Sequence, residues 1–357
     1  MSPMRIETLK ASLLAVGILA GCSAELFYTP TELRGVWALE EHDLTVSDSN
    51  TAETADPCLP LLFVCAHPGI AEPGRGPLML QAVLGFTAAE IARAYVSSPA
   101  AIPKQLVRAK ERIKANAIPF RVPDPEIRAE RLSDVMEAIY GCYALCWLDG
   151  QEADSMQREA VYLSDLLASE MNDDPEVLGL SALLAFLHSR RAARLRDGCF
   201  VPLAEQPTEI WDHELVAAAD LRLRQAFQLA RPGRFRMEVA IQSVHAARAR
   251  TGTTDWPALL SLYEGLIHFA PTLGAYVSQA AVVGEINGPE AGLSALEKRA
   301  DPRLERFQPY WATRAHLLAG SGAIVEARDA YDRAISLAVS AGAKGGLATA
   351  RAKLDQP

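Results

Sequence analysis

The feature that most constrains the fold of this chain is a helical period that runs from Arg131 to the C-terminus. Apolar residues recur at three- and four-residue spacing, alanine is frequent, and no series of alternating segments predicts strands. Short breaks that contain proline interrupt the period at Asp173-Asp174-Pro175, Arg231-Pro232-Gly233, Asn287-Gly288-Pro289 and Asp301-Pro302. We therefore predict an all-α fold.

The last third of the chain contains a repeated pattern. Small residues and aromatics stand at the spacing of a tetratricopeptide repeat, in which two antiparallel helices approach closely. The residues that fit are Trp311, Ala315, Leu318, Ala327, Tyr331 and Ala334, with weaker copies marked by Ala291 and Ala295 and by Tyr263 and Pro271. Stacked hairpins of this kind form a solenoid with a surface for protein partners. The alternative is that the same helices pack only as a bundle.

Composition excludes several classes of protein. The 357 residues are half hydrophobic and 22% charged, which indicates a folded chain large enough for two domains. A net charge of -9 argues against a basic coat for nucleic acid, but it leaves room for a local basic patch. No phosphate-binding glycine loop, nucleophile elbow or paired carboxylate motif is present in a credible context. We expect no enzymatic activity and no cofactor.

The N-terminal segment resembles a bacterial lipobox. Residues 17–26 read GILAGCSAEL, and the apolar run before Cys22 is much shorter than the ~20 residues of a membrane-spanning helix. Two interpretations stay open: lipidation of Cys22 after export, or a short buried helix. We divide this part of the chain into a lipobox-like start at 1–24 and an acidic linker at 25–56. The six cysteines are scattered, which favours a reducing compartment.

Residues 86–114, FTAAEIARAYVSSPAAIPKQLVRAKERIK, predict two short helices joined by a turn at Ser97-Ser98-Pro99. Thr87 and Glu90 have the spacing of a capping box at the start of the first helix. The second helix has an apolar face formed by Ile102, Leu106, Ala109 and Ile113. Pro103 predicts that this second helix begins late, near Ile102, or is kinked.

The second helix is strongly basic on its other face. Between residues 100 and 121 there are six cations and one acid, Glu111, a net charge of +5. A basic second helix after a tight turn is how a helix-turn-helix enters the major groove of DNA. Lys104 and Gln105 are candidates for contacts with base edges. The candidates for phosphate contacts are Arg108, Lys110, Arg112 and Lys114. The alternative is an ordinary amphipathic hairpin whose charges face water.

Several stretches resemble one family. LLFVCAHPGIAEPGRGPLMLQAVLGF and LVRAKERIKANAIPFRVP are similar to region 4 of the extracytoplasmic-function sigma factors that carry a long helical C-terminal extension. The extension is similar as well, in DDPEVLGLSALLAFLHSRRAAR, EVAIQSVHAARARTGTTDW, LYEGLIHFAPTLGA and RFQPYWATRAHLLA. The resemblance covers the chain in order from about Pro57 to Leu354.

This resemblance implies a sigma region 4-like helix-turn-helix domain at 57–121 and a tetratricopeptide-like extension at 122–357. It implies a cytoplasmic transcription factor that reads the -35 element of promoter DNA. The implied partners are promoter DNA, core RNA polymerase and a protein bound by the extension. Residues 1–56 show nothing like region 2, so we expect promoter opening to be incomplete. The alternative function is that of a membrane-anchored helical lipoprotein, attached through Cys22, that scaffolds protein partners.

Other candidate groups have simpler interpretations. Cys58, Cys65 and His67 are close in sequence, but without a second ligand pair we expect buried thiols and no zinc. Cys142 and Cys146 lie one turn apart on an apolar helix, where cysteine acts as a small hydrophobic residue. The histidines at 188, 245 and 316 lie in helical sequence, and we expect them to be core or surface residues.

Overall fold

The computed structural model describes residues 58–94, 100–118, 123–147, 151–229, 231–298 and 300–355. These residues form α-helices almost throughout, so the predicted all-α fold is confirmed. Cys22, the lipobox-like start and the acidic linker lie outside the described residues. None of the described helices combines the length and the apolar composition that crossing a bilayer requires.

The described chain divides into two compact units, and the first comprises residues 58–145 with 162–167. Its helices are α1 (Cys58–Cys65), α2 (Glu72–Ala82), α3 (Ala88–Ala94), α4 (Ala101–Ala115) and α5 (Pro125–Leu145). Apolar side chains from all five helices are buried in this unit, among them Leu62, Phe63, Leu78, Met79, Ile91, Leu106, Val135 and Ile139.

Helix α5 belongs to the first unit, which therefore continues past the boundary that we placed at residue 122 from the sequence. A buried guanidinium group at Arg131 donates a hydrogen bond to the carbonyl of Phe63 in α1, at 2.8 Å. Arg75 in α2 pairs with Asp134 at 2.9 Å. These polar contacts hold α5 against α1 and α2. Helix α5 begins at Pro125.

The second unit comprises residues 146–161 and 168–355 of the described chain. Helix α6 (Gln151–Glu170) contributes to both units. The further helices are α7 (Pro175–Ser189), α8 (His213–Gln228), α9 (Arg234–Thr251), α10 (Trp256–Phe269), α11 (Leu273–Asn287), α12 (Pro289–Glu297), α13 (Gln308–Ser321), α14 (Ile324–Leu337) and α15 (Ala341–Ala352). The sequence breaks that contain proline all fall between helices or at their first residues.

A small β-hairpin follows α7, and the sequence analysis did not predict it. Strands β1 (Leu195–Arg196) and β2 (Cys199–Phe200) are antiparallel, with Leu195 opposite Phe200. Asp197 and Gly198 both have positive φ, as the two central residues of a tight hairpin turn require. Strands of two residues are too short to show an alternating pattern.

Consecutive helices from α9 to α14 pack against each other, and α11 also packs against α13. The residues that fit the repeat pattern meet in one core cluster between α13 and α14. Ala315, Leu318, Ala327, Tyr331 and Ala334 are buried there, and Trp311 packs against them half-buried. The contact between alternate helices is the one expected when helical hairpins are stacked.

Helix α7 is the most enclosed element of the second unit. All of its residues except Glu176 are buried, so it lacks the polar face of a surface helix. Helices α8 and α9 pack against it. Gly179 allows α9 to come close, since a β-carbon at this position would lie 3.1 Å from the backbone of Phe235 and Arg236.

The side chain of Glu176 caps the N-terminus of α9. Its two carboxylate oxygens accept hydrogen bonds from the backbone N–H groups of Phe235, at 2.8 Å, and Arg236, at 3.1 Å. The first N–H groups of a helix have no partner within the helix. A carboxylate at this position accepts their hydrogen bonds, and its negative charge interacts favourably with the positive end of the helix dipole. Gly233 leaves room for it, because a β-carbon there would lie 2.3 Å from the Glu176 carboxylate.

Three arginines, of which Arg194 and Arg236 are buried and Arg248 is half-buried, bind backbone carbonyls near the ends of helices. Arg194 donates to the carbonyls of Trp147, at 3.0 Å, and Leu187, at 3.1 Å. Arg236 donates to two carbonyls that follow α8, at 3.1 and 2.7 Å. Arg248 donates to three carbonyls of the segment after the hairpin, at 2.8–3.2 Å. Each guanidinium group therefore fastens a chain segment to a helix.

The last helix, α15, packs against strand β2 of the hairpin. A β-carbon on Gly346 would lie 2.8 Å from the carbonyl oxygen of Phe200, and one on Gly345 would lie 2.7 Å from the sulfur of Cys199. Lys353 pairs with Glu205 at 3.7 Å, just beyond the hairpin. The pair of glycines therefore sets the close approach between α15 and β2.

Histidines 188 and 245 are buried, which confirms one of the two expectations for them. Burial, together with the positive charges of Arg190 and Arg248, lowers the pKa of His245 to about 3. Burial, together with the positive charges of Arg191 and Arg194, lowers the pKa of His188 to about 4. Both imidazoles are therefore neutral in the folded protein at neutral pH.

We expect Glu176→Gln to lower the free energy of unfolding by about 1–3 kcal/mol, because the amide can accept from only one of the two N–H groups that the carboxylate satisfies. Urea denaturation at pH 8 measures the change. Glu214→Gln is the matched control, since Glu214 is the exposed second residue of α8. Its effect should be only a few tenths of a kcal/mol. Equal losses in the two variants would contradict the capping role.

Acidification should destabilise the protein through His245. The folded-state pKa of His245 lies below the unfolded value of about 6.5. The contribution of its neutral imidazole to the free energy of unfolding is therefore complete above pH 6.5 and declines as the pH falls towards 3. Between pH 7.5 and 5.5 the decline should be about 1 kcal/mol for this histidine. Urea titrations at both pH values on wild type and His245→Gln give the comparison. An unchanged pH dependence in the variant would contradict a buried neutral imidazole.

Candidate nucleic-acid interface

The first of the two short helices predicted at 86–114 begins where the sequence places it. The backbone N–H of Thr87 donates to the carboxylate of Glu90 at 3.2 Å, which is one half of the predicted capping box. The Thr87 hydroxyl donates to the same carboxylate at 2.6 Å. Helix α3 follows from Ala88 to Ala94 and packs against α4. The predicted turn at 97–99 lies outside the described residues.

Helix α4 begins at Ala101, one residue before the start suggested by Pro103. Pro103 is the third residue of the helix. The N–H groups of the first turn have no helical acceptor, so a proline at this position removes no hydrogen bond. The helix therefore accommodates Pro103 without losing its first turn.

One face of α4 is held in the core of the first unit. Ile102, Leu106 and Ala109 are buried. Gly74 in α2 lies close to this face, because a β-carbon there would be 3.6 Å from that of Ala109. The predicted apolar face is confirmed for these three residues, while Ile113 is half-buried.

The opposite face of α4 is exposed and carries four of the predicted cations: Lys104, Arg108, Arg112 and Lys114. Salt bridges among the described residues do not include these four side chains. Their charges are therefore not neutralised by described neighbours, and they are available to an anionic ligand.

Two other residues that the sequence predicts to contact DNA are less exposed. Gln105 is half-buried. Lys110 is also half-buried, and its ammonium group donates to the side-chain oxygen of Gln81 in α2 at 3.4 Å. Burial lowers the pKa of Lys110. Both residues lie at the border between the buried and exposed faces, so the exposed cations are better placed than these two to reach a ligand.

Val107 is a residue of this surface that the sequence analysis missed. Its side chain is 54% exposed, although it is a large apolar group in the middle of a helix. The signal was present in the sequence, since residue 107 lies one turn after Lys104 and four residues before Glu111 on the outward face.

The C-terminus of α4 ends in a Schellman motif. The N–H of Ile118 donates to the carbonyl of Ile113 at 3.1 Å, and the N–H of Ala117 donates to that of Lys114 at 3.4 Å. Ala117 adopts a left-handed backbone with φ of 45°. This conformation is costly for a residue with a β-carbon and is usually occupied by glycine.

Of Cys58, Cys65 and His67, Cys65 is buried and the other two are half-buried. Among the described residues, no three histidine, cysteine or acidic side chains are grouped to hold a metal ion. Cys65 is buried, which raises the pKa of its thiol to about 12. One ring nitrogen of His67 accepts a hydrogen bond from the N–H of Gly69 at 2.9 Å. The expected buried thiol is thus found at Cys65.

We expect Ala117→Gly to raise the free energy of unfolding by up to about 1 kcal/mol, because glycine adopts the left-handed conformation without steric cost. Thermal and urea denaturation measure this change. Ala115→Gly is the matched control, as the last helical residue of α4. That substitution should lower the stability by up to about 1 kcal/mol. A loss of stability in both variants would contradict the Schellman assignment.

Comparisons with known proteins place the chain in a family without an assigned function. Residues 131–227 match a family of unknown function, DUF6596. Over 326 residues the chain is 36% identical to an uncharacterized protein of Rhizobium meliloti (strain 1021), and the alignment covers 89% of this chain and 76% of the relative. No solved structure matches the chain. The match to DUF6596 contains α7 and the hairpin. The longer alignment covers most of both chains, and it shows that the chain belongs to the family of the Rhizobium meliloti protein.

Proposed function

We propose that helices α3 and α4 bind duplex DNA and that the chain is a sigma-like transcription factor that reads promoter -35 elements. The observation that carries this proposal is the exposed cationic face of α4, whose opposite face is fixed in a core. A basic helix held in this way is suited to enter the major groove.

The dimensions of α4 suit this role. At 1.5 Å per residue, the distance along the axis from Lys104 to Arg112 is about 12 Å, close to the width of the major groove. Arg112 and Lys114 are about 160° apart around the helix axis, at 100° per residue. They therefore flank the outward face on its two sides. Cations in these positions suit contacts with the phosphates on the two sides of the groove.

The rigid attachment of α4 supports binding that depends on geometry. The capped start of α3, the buried side chains of α4 and the contact between Lys110 and Gln81 all restrict the position of the helix. A preorganised helix loses little conformational freedom on binding. On binding, only the exposed cationic side chains then have to become ordered as they contact phosphates.

The helical array of the second unit is suited to binding a protein. Stacked hairpins such as α11 to α14 present extended surfaces in repeat proteins. Within this proposal the array binds a regulatory partner, and core RNA polymerase is the partner of the DNA-binding unit.

We expect Arg108→Ala to weaken the binding of promoter-like duplex DNA. Loss of one phosphate contact should reduce the slope of log affinity against log salt by about one. Fluorescence anisotropy with a labelled duplex at several salt concentrations measures both quantities. Lys104→Ala and Arg112→Ala should behave in the same way.

Arg224→Ala is the control for net charge, because Arg224 is an exposed residue of α8 in the second unit. It removes the same charge and should leave the affinity and the salt slope close to those of wild type. An unchanged affinity in all three α4 variants would overturn the proposed function. An equal loss in Arg224→Ala would show that only the total charge matters.

A further inference from the structure

Val107 is placed where a side chain of α4 would meet the bases, if α4 binds DNA as proposed. It lies on the outward face between the flanking cations, about 140° from Arg112 and about 20° from Lys114 around the helix axis, and about 10 Å from Lys114 along the axis. Its neighbours on this face are Lys104, one turn before, and Glu111, one turn after. All three side chains are exposed.

The exposure of Val107 has no structural benefit within the described chain. A β-branched residue is less favourable in a helix than alanine by about half a kcal/mol. An exposed valine also gains little from burial of its methyl groups, since 54% of its surface remains in contact with solvent. Valines are exposed elsewhere in the described chain as well, at Val325 and Val339, so Val107 is distinguished by its position among the exposed cations of α4.

The surroundings of Val107 indicate what that ligand offers. The cations at Arg112 and Lys114 fit phosphates on either side of the outward face. Glu111, about 40° from Val107 on this face, would be repelled by phosphates, so this part of the face suits the base edges. In the major groove the one apolar group on a base edge is the C5-methyl group of thymine.

We propose that Val107 is a specificity-determining residue that packs against the C5-methyl group of a thymine in the major groove. The inference rests on the proposed DNA binding and adds the base that this position reads. Burial of about one methyl equivalent at the contact corresponds to about a fourfold change in affinity.

The test begins with selection of bound duplexes from a randomised library, followed by anisotropy titrations of the preferred duplex. Each thymine is replaced in turn by deoxyuridine, which removes only the C5-methyl group. We expect one or two replacements to weaken wild-type binding about fourfold. Val107→Ala should bind the thymine duplex about fourfold more weakly and be insensitive to the same replacements. Val107→Ile, which keeps an apolar side chain, should retain the sensitivity.

Helical content measured by circular dichroism controls for folding of the variants. The inference is overturned if wild type is insensitive to every deoxyuridine replacement, or if Val107→Ala keeps the sensitivity of wild type. DNA binding that persists in either case leaves the proposed function standing. Absence of salt-dependent binding to any duplex overturns both. Equal affinity of Val107→Ala for the thymine and deoxyuridine duplexes, with wild type still sensitive, supports the methyl contact.

Discussion

The enclosure of α7 is the constraint on which the second unit depends. A helix that is buried on all sides needs neighbours around its whole circumference, and its end groups need partners that are not water. Asp174 caps its start through two backbone N–H groups, at 2.8 and 3.3 Å. Glu176 extends from the same turn to the first N–H groups of α9. One short segment thus starts two helices and fixes the angle at which they meet.

Arginine takes the corresponding role at helix C-termini. A guanidinium group has five donors in a fixed plane and stays charged when it is buried. Arg194 shows the arrangement in full, because its donors reach two carbonyls while its plane lies 3.4 Å from the Trp147 ring centre. Carbonyl dipoles and an aromatic face thus solvate the cation. Hydrogen bonds of this kind are directional, so they select which helix ends meet. Apolar packing is non-directional and is less selective.

The sequence predicted the all-α fold, the breaks and the core residues of α13 and α14, because periodicity reports burial directly. It placed the domain boundary at 122, whereas α5 packs into the first unit through Arg131, a long-range polar contact that no local pattern encodes. The hairpin had a local signal in its turn residues, Asp197-Gly198, but its two-residue strands were too short to show an alternating pattern. At the candidate site, the basic face was predicted from spacing. The exposure of Val107 and the partial burial of Lys110 depend on how α4 is set against α2.

The contact of α15 with the hairpin changes the folding topology of the array. In an open solenoid each repeat touches only its neighbours, so terminal repeats fray and the array can fold in segments. Here Gly346 meets Phe200, which joins positions nearly 150 residues apart along the chain. Forming this contact requires closure of a long loop, and such non-local contacts slow folding and couple distant segments. The last helix should therefore unfold together with the hairpin region, as one cooperative unit.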